Sequence, residues 1–207
     1  MQEKGGPVKI GITGGIGAGK SIVCKIFMSF NIPVYNADER ARYLMNNDPR
    51  LISLIKKRFS EKAYVNGKVD STFLSTMVFN DDSQLKSLNE MVHPAVFSDF
   101  ETWLHQHRKY EIIIKEAALL FESGSYAELD KVILVYCPLE TRINRIIMRD
   151  PHRSRRDIEK IIERQMPDPE KKKMADFLIT NDDLNPVIPQ VLDILEKIKN
   201  LPGSSTI

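Results

Sequence analysis

Residues Gly14-Gly15-Ile16-Gly17-Ala18-Gly19-Lys20-Ser21 fit the pattern G-x-x-x-x-G-K-[ST] without a gap. Glycines permit backbone conformations and close approaches that side chains block, so successive N–H groups can converge on phosphate oxygens. A helix starting behind them adds its N-terminal amides and positive dipole end to the same anion. Lys20 is then placed to reach the β- and γ-phosphates of a nucleotide, and the Ser21 hydroxyl to hold Mg²⁺. A chance glycine-rich turn needs neither a strand before it nor a helix after it. Here Val8–Thr13 (VKIGIT) is a short β-favouring run, and Ile22, Val23, Ile26, Phe27 and Phe30 recur at helical spacing over Ser21–Phe30. The loop is therefore read as a nucleotide-phosphate cradle with Gly15, Gly17, Ala18, Gly19, Lys20, Ser21 and Ile22 as its contacts.

The motif alone does not separate kinases from other nucleotide machines. Thr180-Asn181-Asp182-Asp183 lacks the lysine of the guanine-reading N-K-x-D, and the L-S-G-G-Q string of transport ATPases is absent. Arg142, Arg145, Arg149, Arg153, Arg155, Arg156 and Arg164 instead crowd one stretch, as in a lid that closes over phosphates and excludes water. Arginine suits that role because its planar donor fork spreads over phosphate charge. Some of these side chains can equally pair with Asp157, Glu159 or Glu163 on a solvated face. Arg142, Arg145 and Arg149 recur in steps of three and four, on nearly one helical side, which favours a lid entrance.

An acceptor hydroxyl needs a residue to orient or deprotonate it. Asp38 follows the second strand, at the carboxyl edge where α/β sheets bind ligands, but it is also a favoured helix N-cap type. Glu116, after the run Glu111–Lys115, is either a support for the metal and its waters or a surface carboxylate paired with Lys115 or Lys131. His93-Pro94 is odd within a helical stretch, because proline disfavours the helical conformation just before it. A lone histidine there reads as structural.

The positioning elements follow from periodicity. Strands are expected at Val8–Thr13, Ile32–Tyr35, Glu111–Lys115, Lys131–Tyr136 and Phe177–Thr180, with a closing helix over Pro186–Asn200. Glu39 to about His107 is helical with no convincing strand, and Asn66-Gly67 marks a turn within it. Short apolar strands alternating with helices imply an α/β fold: a doubly wound parallel sheet flanked by helices. The reading is a single domain, residues 8–202. Its nucleotide-binding core comprises 8–38, 108–141 and 174–202, with a helical insertion at 39–107 and a lid at 142–173.

Composition fits one well-cored domain: 207 residues, 42% hydrophobic and 28% charged. A net charge of +2 gives no global field toward nucleic acid or membrane, and no aromatic residues interleave with the basic stretch. Cys24 and Cys137 sit in apolar runs without histidine partners, so buried, reduced thiols are expected. Without a signal-like stretch at Met1–Pro7 or a membrane-length apolar run, a cytoplasmic protein is expected.

Taken together, the chain resembles the dephospho-CoA kinase family from about Ile10 to Asp182. The resemblance rests on the loop, on Asp38 with Arg40 and Arg42, on His93-Pro94, on Leu119-Leu120-Phe121-Glu122, on Arg145 to Asp150, on Arg164-Gln165-Met166, and on Ala175-Asp176 to Asn181. It implies a P-loop NTPase fold with ATP and Mg²⁺ as donor, and the ribose 3′-hydroxyl of dephospho-CoA as acceptor. It also implies Asp38 as general base, Thr13 and Lys20 flanking the phosphoryl group, and Arg145 and Arg149 closing on phosphates. By the same resemblance the insertion, His93 included, cradles the CoA moiety, and Asn181 with its neighbours lines the adenine pocket; Glu116, from its place after the strand, is carried as a substrate-side candidate. Three positions depart from the family: Ile22 for Thr, Asn36 for the first acid of Asp-Ala-Asp, and Ala117-Ala118 for an apolar-Pro pair. The alternatives are another small-molecule kinase, for a nucleoside, nucleotide or shikimate-like acceptor, and a non-catalytic ATP-binding switch.

Overall fold

β1 (Val8–Thr13) alternates side chains across a sheet that buries both faces. The computed structural model describes residues 6–79 and 81–200; the expected boundary at 202 lies outside the described residues. Packing divides the chain into two units, residues 36–106 and the remainder.

The larger unit is built on a five-stranded sheet in the order β2-β5-β1-β6-β7, with β2 at Val34–Asn36, β5 at Ile112–Glu116, β6 at Lys131–Tyr136 and β7 at Phe177–Thr180. β1 pairs in parallel with β5 on one side and β6 on the other, and β6 pairs in parallel with β7. Ile10, Ile12, Ile112, Ile114, Ile133, Val135 and Ile179 form one face of this sheet. α1 (Lys20–Ser29) covers it with Val23, Cys24 and Phe27, and α9 (Val187–Lys199) with Val191, Ile194, Leu195 and Ile198. The parallel sheet and its flanking helices agree with the expected α/β class. β2 starts two residues later than expected, after Pro33, as suits an edge strand that has a proline at its start. Between β6 and β7 lie α6 (Leu139–Arg149), α7 (Arg155–Glu163) and α8 (Asp168–Met174).

In the second unit, α2 (Ala37–Asn47), α3 (Pro49–Phe59), α4 (Ser71–Phe79) and α5 (Asp82–Gln106) enclose Leu51, Ile55, Phe59, Ala63, Leu74 and Val92. Arg40 of α2 forms a two-pronged pair with Asp99 of α5, its Nε donating to Oδ2 at 2.8 Å. One expectation, that this stretch has no strand, is corrected here. A small hairpin exists, β3 (Tyr64–Val65) with β4 (Lys68–Val69), turning on Asn66 and Gly67 at φ 51° and 76°. Those left-handed values are what a two-residue hairpin turn requires, and strands of two residues carry too little alternation to read from sequence. The helical reading around His93-Pro94 agrees with α5, which runs through Pro94. Leu88, Met91, Ala95 and Val96 pack into the core from both sides of the proline, and that burial offsets the cost of about 3 kcal/mol that a helix-interior proline carries through its lost amide bond and ring clash.

Cys24 and Cys137 are buried and free, as expected. Burial, then the Glu116 carboxylate, pushes the Cys24 thiol up to about 12 against the opposing pull of Lys20. No helix among the described residues is long and apolar enough to cross a membrane.

Gly11 faces away from α1, and a Cβ there would stand 2.7 Å from both Leu120 Cδ2 and Leu129 Cδ1. Gly11→Ala is expected to destabilise the protein by about 1–3 kcal/mol through overpacking, read as a fall of several degrees in Tm.

Candidate active site

β1 delivers the glycine loop to the carboxyl ends of three adjacent parallel strands, where α/β sheets place ligands. Gly17 and Gly19 hold φ of 80° and 90°, which side chains resist, and Gly19 caps α1 with no side-chain bond to its first amides. The glycines are also demanded from outside the loop. A Cβ at Gly14 would run into the Val135 carbonyl, one at Gly15 into the Arg142 guanidinium, and one at Gly19 into the Asn181 amide.

Lys20, the first residue of α1, extends back under the loop, where its Nζ donates to the Gly14 carbonyl at 3.0 Å. It lies 3.8 Å from Glu116 Oε1, with both side chains almost out of solvent at 13% and 7% exposure. Glu116 is therefore not a surface carboxylate past the strand. It is the last residue of β5, opposite Ile12 in register, and buried. Lys115 and Lys131, its imagined partners, pair instead with Glu128 and Asp176. Thr13 is fully buried, its hydroxyl donating to the Ala118 carbonyl at 3.4 Å. Ser21 is exposed in the first turn of α1 with Ile22 beside it, also exposed.

Asn181, just past β7, is buried and stitches the loop to the sheet. Its Nδ2 donates to the Ala18 carbonyl at 2.8 Å and its backbone N–H to the Tyr136 carbonyl at 2.8 Å. The three arginines of α6 diverge. Arg142 is buried against the loop, with Nη2 donating to Asp168 Oδ2 at 3.1 Å. Arg145 donates to the Asn181 carbonyl at 3.1 Å and pairs with Asp183. Arg149 is exposed in the last turn. Arg153 and Arg155 make the solvated pairs, with Asp150 and with Glu140 and Glu159.

Asp38 and His93 belong to the other unit, both exposed, on α2 and α5. The cap of α2 is Asn36, whose Oδ1 accepts from the Glu39 amide at 2.9 Å. Asp38 sits inside the first turn and is not the cap. Asn36 thus suits its place as a cap even though it departs from the family's acid there.

Sequence reasoning assigned no role to Gln165, Asp168 or Lys171. Gln165 Oε1 accepts the Ile16 amide at 3.0 Å. Lys171, fully buried, has its Nζ 2.9 Å from Glu122 Oε1, which also accepts the Met166 amide at 2.9 Å. Only the strings around Leu119–Glu122 and Arg164–Met166, seen as family marks, pointed toward them.

For Mg²⁺, the oxygen donors at hand are the Ser21 hydroxyl and the Glu116 carboxylate. No group of three His, Cys, Asp or Glu side chains gathers among the described residues. So sparse a set fits Mg²⁺, which keeps several waters and takes phosphate oxygens as ligands.

The arrangement can hold a polyphosphate by backbone amides, one lysine and arginines brought in from α6. Comparison with known proteins is specific. The sequence model of the dephospho-CoA kinase family matches residues 8–186. A dephospho-CoA kinase of Bacteroides fragilis is 37% identical over 188 residues, 91% of each chain. One from Rhodopseudomonas palustris is 34% identical over 196 residues, 93% of this chain and 96% of that one. A Thermus thermophilus crystal structure superposes with a TM-score of 0.80 at 32% identity, covering 94% and 97% of the two chains. Dephospho-CoA kinase from Campylobacter jejuni gives 0.67 at 28% identity, covering 92% and 96%. A shikimate kinase from Acinetobacter baumannii, at 0.54 and 13% identity over 95% and 96%, shares the fold alone. The chain belongs to the dephospho-CoA kinase family.

Proposed function

We propose that the chain transfers the γ-phosphoryl group of ATP to the ribose 3′-hydroxyl of dephospho-CoA, yielding CoA and ADP. The observation that carries this reading is Lys20 poised under the glycine loop, its charge met by buried Glu116. Family membership supplies the acceptor.

The loop amides and the α1 N-terminus gather the β-phosphate oxygens, and Lys20 leaves the Gly14 carbonyl to bridge toward the γ-phosphate. Asp38 accepts the proton of the attacking hydroxyl, a role supported by its place just past β2 and by the family motif. Arg145 and Arg149 are assigned to the donor, Arg145 on the side of Asn181 and the adenine, Arg149 toward the phosphates. Thr13 and Glu116 flank the transfer, and Ser21 would hold Mg²⁺, which when bound would supply neutralisation of phosphate charge. We assign residues 142–173 to the lid, and residues 39–107, His93 among them, to the acceptor. With reactants positioned and charge spread, little covalent chemistry remains for the protein itself.

The test follows ADP release with ATP and Mg²⁺, offering dephospho-CoA beside adenosine, AMP, cytidine monophosphate and shikimate, with product mass checked for one added phosphate. Release driven by dephospho-CoA alone is the expected outcome. Turnover with another acceptor only would sink the substrate assignment. ATP binding without any turnover would sink the catalytic one. Lys20→Ala is expected to lower kcat/KM on the order of a thousandfold, by loss of charge stabilisation in the transition state. Asp38→Asn is expected to lower kcat by at least about a hundredfold, the scale of general-base catalysis, with Tm little changed. Near-normal turnover by Asp38→Asn would remove Asp38 as the base.

A further inference from the structure

A loop with four glycines in six residues is expensive to hold in one shape, because glycine loses the most conformational freedom on ordering. On its inner side the loop is tied by the Asn181 amide on the Ala18 carbonyl, and by its own Ala18 N–H to Gly15 carbonyl bond at 3.1 Å. On its outer side the fixed point is Ile16. The Ile16 side chain packs with Ile143, Ile146, Ile158 and Ile162 of α6 and α7, and its amide is taken by Gln165 Oε1.

Gln165 is itself held. It follows α7, its N–H donating to the Ile162 carbonyl at 3.0 Å, while its neighbour Met166 donates to Glu122, the carboxylate that meets buried Lys171. The amide oxygen therefore reaches Ile16 from a segment fastened on both sides. Arg142 flanks the same spot, since the space a Gly15 Cβ would occupy lies against its guanidinium and within 3.5 Å of Gln165 Oε1.

We propose that Gln165 is a positioning residue for the phosphoryl donor, setting the shape of the glycine loop through the Ile16 amide. The inference rests on the reading of that loop as the donor's phosphate site. The Ile16 N–H is already committed to Gln165, so this amide acts on loop geometry. The Ala18 N–H is likewise taken by Gly15, so the loop amides left for the donor's phosphates would keep the spacing that the Gln165 bond sets.

Gln165→Met keeps the bulk and removes the acceptor atom; Gln165→Glu keeps an acceptor oxygen, with its added charge beside Arg142. Gln165 is only partly buried, so both variants should fold, with Tm within a few degrees of the parent. Calorimetric ADP binding should weaken roughly tenfold in Gln165→Met, the upper scale of one hydrogen bond, and recover to within about threefold of the parent in Gln165→Glu. The KM for ATP should rise in parallel while the KM for dephospho-CoA stays put, and hydrogen exchange at the Ile16 amide should quicken in Gln165→Met. Parent-like ADP binding by Gln165→Met overturns the proposal. Equal losses in both variants overturn it too, since they would trace the effect to packing and not to the acceptor atom. Failure of the parent itself to bind ADP would instead discard the donor-site reading.

Discussion

A lysine ammonium and a glutamate carboxylate, both nearly out of water, face each other beneath the glycine loop, and much of the larger unit follows from that placement. Removing two charges from solvent costs several kcal/mol per ion unless geometry and hydrogen bonds compensate. Lys20 is compensated twice, by Glu116 and by the Gly14 carbonyl. Glu116 can be there only if β5 pairs with β1 in the register that sets it opposite Ile12, and Lys20 only if α1 starts at the loop's last glycine. A slip of one residue in β5 would turn the carboxylate to the other face of the sheet. The charge pair thus ties the parallel sheet to the glycine loop.

Around that pair the fold economises on side chains. The glycines do more than bend: the Val135 carbonyl, the Arg142 guanidinium and the Asn181 amide stand where their Cβ atoms would be. β6, α6 and the turn after β7 therefore press on the loop from three directions. Charge sits where it has a counterpart, as with Arg142 on Asp168 and Lys171 on Glu122, although neither lysine nor arginine is at ease in an apolar interior.

What could be read from residues alone was local and periodic. The glycine motif, the apolar strands and the amphipathic helices announce themselves because each is a repeat or a fixed spacing, and α1, β1, β6 and β7 stand within a residue of where periodicity puts them. What escaped depends on contacts between distant segments. No pattern near Gln165 says that its amide will meet Ile16, 149 positions earlier. Nor does spacing show that Arg142, Arg145 and Arg149, though three and four residues apart, will take three different partners or environments. Glu116 was half seen: its chemistry was plain, but its burial came from a strand ending one residue later than periodicity suggests. Pro94 looked odd in a helical stretch because its local preference was legible, while the tertiary core that carries α5 through it was not. Asp38 and Asn36 show the converse, with two cap-forming types side by side and only the fold choosing between them.

The two cysteines have a practical consequence. Both thiols are sheltered in the larger unit, and Cys24 is held protonated well past neutral pH by its burial and by the nearby carboxylate. A cysteine introduced on an exposed turn of α7 would therefore be the reactive thiol of an otherwise unaltered chain. A fluorophore or spin label could be attached there without first removing the natural sulfurs. The chain comes ready for distance measurements on the arginine-rich segment as nucleotide is added.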